Sequence, residues 1–316
     1  MDSLNRNAIE LVDEALDFAD ELNVVPHELD GGATVVDFGV DADGGLEAGL
    51  LLAEVQTAGL ASVQVRTDAV DGVPLPAVEV STDQPALGLL CSQKAGWELT
   101  FDGFDGLGSG PARALVAEES EFEAVGYADE FDLTVLTVES IDLPTDEVAG
   151  HVADRTGLAP SGVFLPTYAV GSTAGSVTGA ARAAELAAFR LFELGYDPLD
   201  LLSATGTAPV APVTYDETAA MARTNDAVAY GGRVYLQVRA DGDVHGVDFA
   251  DLPSSVGEQY GEPFADVFEA VDYDLSALPA SVFAPAQVTV DVVDGPTYAL
   301  GETDEALLAE SFGLRG

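Results

Sequence analysis

Leu133-Thr134-Val135-Leu136-Thr137-Val138 is an uninterrupted aliphatic and β-branched run, and Asp142-Leu143-Pro144-Thr145-Asp146 breaks it before a helical stretch over 147–155. Six such residues suit a strand buried on both faces. Proline flanked by aspartates suits a turn and the first turn of the following helix. A buried strand handing over to a helix is the unit of an α/β protein, and the alternation holds outward from here. Upstream, Leu4, Ile9, Leu11, Val12, Leu16 and Leu22 fall near helical spacing after Ser3 or Asn5 as cap, predicting a helix over 3–22. Strands are predicted at 34–40, 62–66 and 76–80, a helix at 47–60 and a helix start at 111–116. Downstream the pattern predicts a strand at 163–170, one long helix at 176–194, strands at 234–238 and 287–292, and a helix after Thr303. Several strands lack a crossover helix, so the expected fold is α/β with mixed sheets. The break after residue 142 is the best single boundary between two α/β domains, 1–142 and 143–316, unless the chain crosses between halves more than once.

The chain has 316 residues, with 56 Asp+Glu against 11 Lys+Arg and a formal net charge of −45. Its hydrophobic fraction of 47% marks it as globular in spite of that charge. Eleven scattered cations cannot supply the phosphate neutralisation that nucleic acid or an anionic membrane surface demands, so neither is expected as a partner. No apolar run approaches the ~20 residues of a membrane span. Met1-Asp2-Ser3-Leu4-Asn5-Arg6 has neither the cationic start nor the apolar core of a signal peptide, so a cytoplasmic protein is expected. One cysteine excludes an internal disulfide framework. His27, His151 and His245 lack ligand spacing, so no metal centre is expected. The acidity itself suits concentrated salt, where the screening length falls to about 3 Å and self-repulsion becomes tolerable.

The only lysine, Lys94, lies between the only cysteine and the only tryptophan in Cys91-Ser92-Gln93-Lys94-Ala95-Gly96-Trp97. In a chain purged of lysine elsewhere, a survivor points to a specific task, against the plainer reading of a leftover at a packed site. Gly106-Leu107-Gly108-Ser109-Gly110-Pro111-Ala112-Arg113 is a glycine-rich turn entering a helix, a form that can offer backbone N–H groups to an anion. It is neither a Walker loop nor a dinucleotide fingerprint, and a tight turn without ligand reads equally well. The helix at 176–194 has no aspartate and two Arg/Glu pairs, Arg182/Glu185 and Arg190/Glu193, each at i,i+3 spacing. A structural salt bridge is the ordinary reading of either. Arg182 and Glu185, however, are surrounded by alanines, and a carboxylate held ionised by a guanidinium could activate a water. Gly195-Tyr196-Asp197-Pro198 reads as a helix stop, Thr224-Asn225-Asp226 as a polar cluster before a Tyr/Gly-rich strand, and Phe283-Ala284-Pro285-Ala286-Gln287 as a turn.

Taken together and in order, Ser92-Gln93-Lys94-Ala95-Gly96-Trp97, Gly108-Ser109-Gly110-Pro111-Ala112-Arg113-Ala114-Leu115, Ala174-Gly175-Ser176-Val177 with Arg182 and Glu185, and the three smaller segments resemble the archaeal methenyltetrahydromethanopterin cyclohydrolases over nearly the whole chain. The resemblance implies a hydrolase of one-carbon metabolism: two α/β domains with the pterin in the cleft between them, a homotrimer, and no metal or cofactor beyond the pterin carrier. It implies reversible hydrolysis of a cationic amidinium carbon bridging N5 and N10 to the N5-formyl pterin. By the same resemblance Glu185 is the base, Arg182 tunes it, and Ser92, Gln93 and Lys94 bound the pocket. Gly108, Ser109, Gly110 and Arg113 support that pocket or bind an anionic tail of the carrier. The pervasive acidity marks a halophilic, archaeal member. Two alternatives share these motifs, the same chemistry on methenyl-tetrahydrofolate and a pterin-binding protein without turnover.

Overall fold

The computed structural model describes residues 3–239, 247–274 and 277–315; His245 lies outside them. The chain divides into two units, Met1–Ala61 with Leu87–Thr178, and Ser62–Ala86 with Gly179–Gly316. The chain therefore crosses between units more than once, and the proline-aspartate break at 142–146 falls inside the first. The reason is local: the helix Asp146–Thr156 buries Val148, Ala149, Val152 and Ala153 against Val35, Leu136, Val138, Val163 and Leu165 of the first unit. Burial of each such valine or leucine contributes about 1.5–3 kcal/mol, far more than a single turn could oppose.

In chain order the strands among the described residues are β1 (Val25–Glu28), β2 (Thr34–Asp37), β3 (Ser62–Val70), β4 (Val73–Thr82), β5 (Ala95–Phe101), β6 (Phe104–Ser109), β7 (Thr134–Val135), β8 (Thr137–Glu139), β9 (Val163–Tyr168), β10 (Leu201–Pro209), β11 (Arg233–Val238), β12 (Gln287–Val292) and β13 (Thr297–Gly301). The first unit's sheet runs β1-β2-β9-β8-β6-β5, with β7 also on β9. β2, β7 and β8 are parallel to β9 and the remaining pairs antiparallel. The Leu133–Val138 run is the β7–β8 line, in constant register on β9 and fully buried from Thr134 to Val138. The second unit's sheet runs β13-β12-β11-β10-β4-β3, antiparallel except β11 on β12. Both sheets are mixed, and the fold is α/β.

Four local departures from expectation stand out. The first helix is Leu4–Asp17, capped by the Ser3 hydroxyl accepting from Arg6 N–H, and a separate turn, Ala19–Leu22, follows. Asn5 is fully buried, donating to Pro111 O and the Asp129 carboxylate at 2.8 Å each and accepting from the Thr134 hydroxyl at 2.8 Å. β2 stops at Asp37, short of residue 40, because the buried Asp37 carboxylate accepts the N–H groups of Gly39, Val40, Asp41 and Ala42 and curls the chain around itself. The helix expected over 176–194 is two helices, Thr173–Ala180 and Ala183–Glu193. Thr178 Oγ1 donates back to the carbonyls of Ala174 and Gly175, and Arg182 N–H reaches Gly179 O at 3.3 Å, a tighter turn than the α pattern. Thr224-Asn225-Asp226 likewise precedes no strand at once: Ala227 to Gly231 complete the helix Glu217–Gly231, which the Asp216 carboxylate caps.

Candidate active site

The break between the two helices sets the geometry of the first Arg/Glu pair. Arg182 occupies the cap position of Ala183–Glu193, and Glu185 sits in its first turn, where the helix dipole favours a negative charge. Ala184 lies close on β10 at Gly206, where an added Cβ would come within 2.6 Å of Ala184 N. Ala180, Ala181, Ala183, Ala184, Ala187 and Ala188, the pair's neighbours along the chain, are all buried. Arg182 Nε and Nη2 both reach Glu185 Oε2 at 3.0 Å. Glu185 is 1% exposed, and its Oε1 is buried without a hydrogen-bond partner. A buried carboxylate oxygen with nothing to accept is costly and rare. One oxygen fastened by a guanidinium and the other bare is the arrangement a general base needs to take a proton from a positioned water. Arg190 and Glu193 make the contrast: their ion pair is longer, 3.6 Å, and both side chains are partly exposed.

Lys94 belongs to the first unit. The apolar run before it forms a π-helix, Ala86–Gln93, closed by Lys94 N–H on Leu89 O at 2.8 Å. Such wide turns recur at functional sites. The ammonium of Lys94 meets Glu121 Oε1 at 2.7 Å, with the two side chains 15% and 3% exposed. Burial pushes the Glu121 carboxyl up, but the hydrogen bond and charge of Lys94, with Arg113 further off, outweigh it and hold the carboxyl below its ordinary range. Cys91 is buried, and burial pushes its thiol up to about 12. It is a packing residue rather than a nucleophile.

The remaining predicted residues build the bed of this segment. Arg113 is fully buried: Nη1 donates to Lys94 O at 2.7 Å and more weakly to Leu90 O and Ser92 O at 3.4 Å, while Nε and Nη2 hold Glu119 at 3.2 and 2.9 Å. The Phe122 ring lies under its guanidinium at 5.3 Å. Gly96 explains itself here, since an added Cβ would stand 2.7 Å from Arg113 Nε. Ser92 is buried, donating to Gln56 O at 2.6 Å and accepting from Gly110 N–H at 2.9 Å. Gln93 is 1% exposed. Gly108 and Ser109 lie in β6, opposite Trp97 and Ala95, and the Ser109 hydroxyl bonds Thr137 Oγ1 at 2.7 Å. The glycine loop thus spends the Gly110 N–H and the Arg113 guanidinium on the Ser92–Lys94 backbone. Ser92, Lys94, Gly110 and Arg113 are one cluster; Arg182 and Glu185 belong to the other unit.

Sequence reasoning passed over Glu119 and Glu121. Their one available signal was that a sole buried lysine requires a counter-ion, but among 56 acidic residues nothing singles out these two. His27 lies in β1 and His151 packs edge-on against Phe101 at 5.3 Å; among the described residues no three His, Cys, Asp or Glu side chains gather as metal ligands. Nor is any helix there long and apolar enough to cross a membrane.

The two units, each built on a mixed sheet with helices, make this an α/β protein, and the second holds a buried carboxylate against an arginine. The family described as Cyclohydrolase (MCH) matches residues 3–312, and the chain belongs to it. A protein of Halobacterium salinarum named methenyltetrahydromethanopterin cyclohydrolase is 58% identical over 99% of this chain and all of its own length. Proteins of the same name from Methanocella arvoryzae and Methanothermobacter marburgensis are 40% and 39% identical, covering 100% and 99% of this chain and 99% and 100% of their own lengths.

Proposed function

We propose that this chain is a methenyltetrahydromethanopterin cyclohydrolase, interconverting 5,10-methenyl-tetrahydromethanopterin and water with the N5-formyl form. The observation that carries the reading is Glu185, buried, fixed at Oε2 by Arg182 and unpartnered at Oε1. The bridge carbon of the substrate is already electrophilic, so catalysis needs a placed water, a base and a proton route to the departing nitrogen. Glu185 Oε1 takes a proton from water as its oxygen bonds to the bridge carbon. The C–N10 bond then breaks, its electron pair stays on N10, and Glu185 returns a proton there. Cation plus water becomes neutral formyl pterin plus one released proton. Arg182 keeps the carboxylate oriented until that transfer. Lys94 and Gln93 face the substrate, held by the bed that Ser92, Gly108, Ser109, Gly110 and Arg113 make.

The relatives' shared name supports methanopterin over folate as carrier, and the intact Arg182–Glu185 pair supports turnover over mere binding. No metal or cofactor besides the pterin enters this scheme. The same reading makes the protein a cytoplasmic homotrimer, which sedimentation in molar salt checks. Glu185→Gln keeps the shape but removes the base. It is expected to fold normally and to lose at least the roughly 10²-fold that a general base contributes, followed by the absorbance of the methenyl pterin. Near-normal turnover would take Glu185 out of the mechanism.

A further inference from the structure

Lys94 poses an electrostatic problem for the proposed function, on which this inference rests. The substrate is a cation, and a buried ammonium facing it would repel it. The product formyl pterin has lost that charge. Glu121 meets Lys94 at 2.7 Å, is itself 3% exposed, and comes from the short helix Ser120–Val125. That segment anchors the lysine's surroundings three times over: Glu119 fastens Arg113, whose Nη1 holds Lys94 O; Phe122 lies under the same guanidinium; and Glu121 takes the ammonium directly. In a chain with 56 acidic residues, solubility asks for no such anchored carboxylates.

We propose that Glu121 is a positioning residue that fixes the Lys94 ammonium and cancels its charge, so that the lysine can donate hydrogen bonds to the pterin without repelling its cationic methenyl form. The ion pair is close enough to act as one neutral dipolar group toward a third charge. Removing the Glu121 charge alone takes away the carboxylate that balances the ammonium in this pair. Two like charges in one site at an effective dielectric of about 20 interact strongly enough to cost the cationic ligand roughly 10- to 100-fold in affinity, while a neutral ligand escapes that penalty. A merely structural carboxylate would weaken both ligands alike.

The test is binding in a Glu185→Gln background, where turnover is slowed, with 5,10-methenyl- and N5-formyl-tetrahydromethanopterin as the two probes in molar KCl. Glu121→Gln is expected to weaken methenyl binding roughly 10- to 100-fold and to shift formyl binding far less, while Glu121→Asp restores most of the difference. The double change Lys94→Met with Glu121→Met removes both charges and replaces a buried pair with apolar groups, an exchange that proteins often tolerate. It should keep the methenyl-to-formyl affinity ratio near the parent value even though both affinities fall, and it carries the test if Glu121→Gln does not fold. Equal losses for both ligands in Glu121→Gln, or a selective methenyl loss in the double variant, would overturn the proposal. Lys94→Met separates the two levels: if it alters the affinity for neither ligand, the placement of Lys94 beside the substrate fails, and with it the premise; if it alters either, only the role of Glu121 is at stake.

Discussion

Arg113→Lys keeps a positive charge yet should destabilise the protein strongly. Arg113 is fully buried, with two bonds to Glu119 and one of 2.7 Å to Lys94 O as its short contacts. A lysine ammonium, compact and without the planar fork, can serve one side of that set but not both. Charge-assisted hydrogen bonds contribute about 1.5–3 kcal/mol each, so losing one or two and recovering part through the ammonium leaves a deficit of about 3 kcal/mol. Arg113→Met strands Glu119 altogether and should cost about 3–5 kcal/mol. For a unit of this size each kcal/mol moves the midpoint by roughly 2–4 °C, giving a drop of about 6–12 °C for the lysine variant by thermal circular dichroism in molar KCl. The surface pair Arg66–Glu79, 3.3 Å apart with side chains 46% and 38% exposed, is the control. In the same salt, Arg66→Gln should change stability by under about 0.5 kcal/mol. A lysine variant within about 1 kcal/mol of the parent, or a deficit that fades between 1 and 4 M salt as the surface pair's does, would refute the view that Arg113 is a buried clamp.

Asp226 tests burial through pH. Burial raises its carboxyl from 3.8 to about 6 against the opposing bonds from the Ser311 hydroxyl and Phe264 N–H, so the folded protein holds that proton more tightly than the unfolded chain does. Stability from this group is therefore full below pH 4 and lost as pH rises through about 6. At 1.36 kcal/mol per unit, the stability of Asp226→Asn relative to wild type should improve by about 2 kcal/mol between pH 4 and pH 7.5, and a flat difference in denaturant titrations would contradict it. Gly96→Ala should cost about 1–3 kcal/mol by pushing on Arg113, while Gly103→Ala, with no neighbour in range of its Cβ, isolates the backbone strain of a positive φ without a clash. Arg182→Lys should lose activity, and Arg182→Glu should lose more; equal rates for wild type and Arg182→Glu would make the pair purely structural. With a formal charge of −45 on each chain, dilution from molar to ~0.01 M salt extends screening to about 30 Å and should inactivate the protein and dissociate the proposed trimer; a stable active trimer at millimolar salt would deny that the acidity is an adaptation to brine.

Where the sequence carried hydrophobic periodicity, it was readable. The Leu133–Val138 strand, the helix after Thr145, the strands at 163, 234 and 287 and the C-terminal helix stand where the pattern puts them, because burial of an unbroken apolar face overrides other preferences. The boundaries that moved did so through single polar side chains. Asp37 captured four backbone N–H groups and ended its strand, and Thr178 bonded back and divided a helix. The Arg182/Glu185 pair was visible as composition, but its difference from Arg190/Glu193 lies in burial and an unpartnered oxygen, which spacing alone cannot express. Glu119 and Glu121 were hidden by abundance, since a carboxylate that balances a buried cation has the same letter as one that holds brine.

The excursion of residues 62–86 into the second unit also has a cost in time. During synthesis the β3–β4 hairpin emerges early, whereas β10, the strand that covers its other edge, pairs Thr82 with Ala204 and Ala77 with Pro209. Until that distant segment leaves the ribosome, the hairpin must wait with an open edge, the form of chain most prone to join another copy. Pro74 and Pro76 lie beyond the β10 register, where Val210 N–H reaches Pro76 O at 2.8 Å but no N–H of β4 is called for, so a missing donor harms no native pairing but spoils a stranger's. Glu79 adds a charge to the part that must stay available. The nascent hairpin is thus blunted at one end and charged at the other, and can hold its place until its partner arrives.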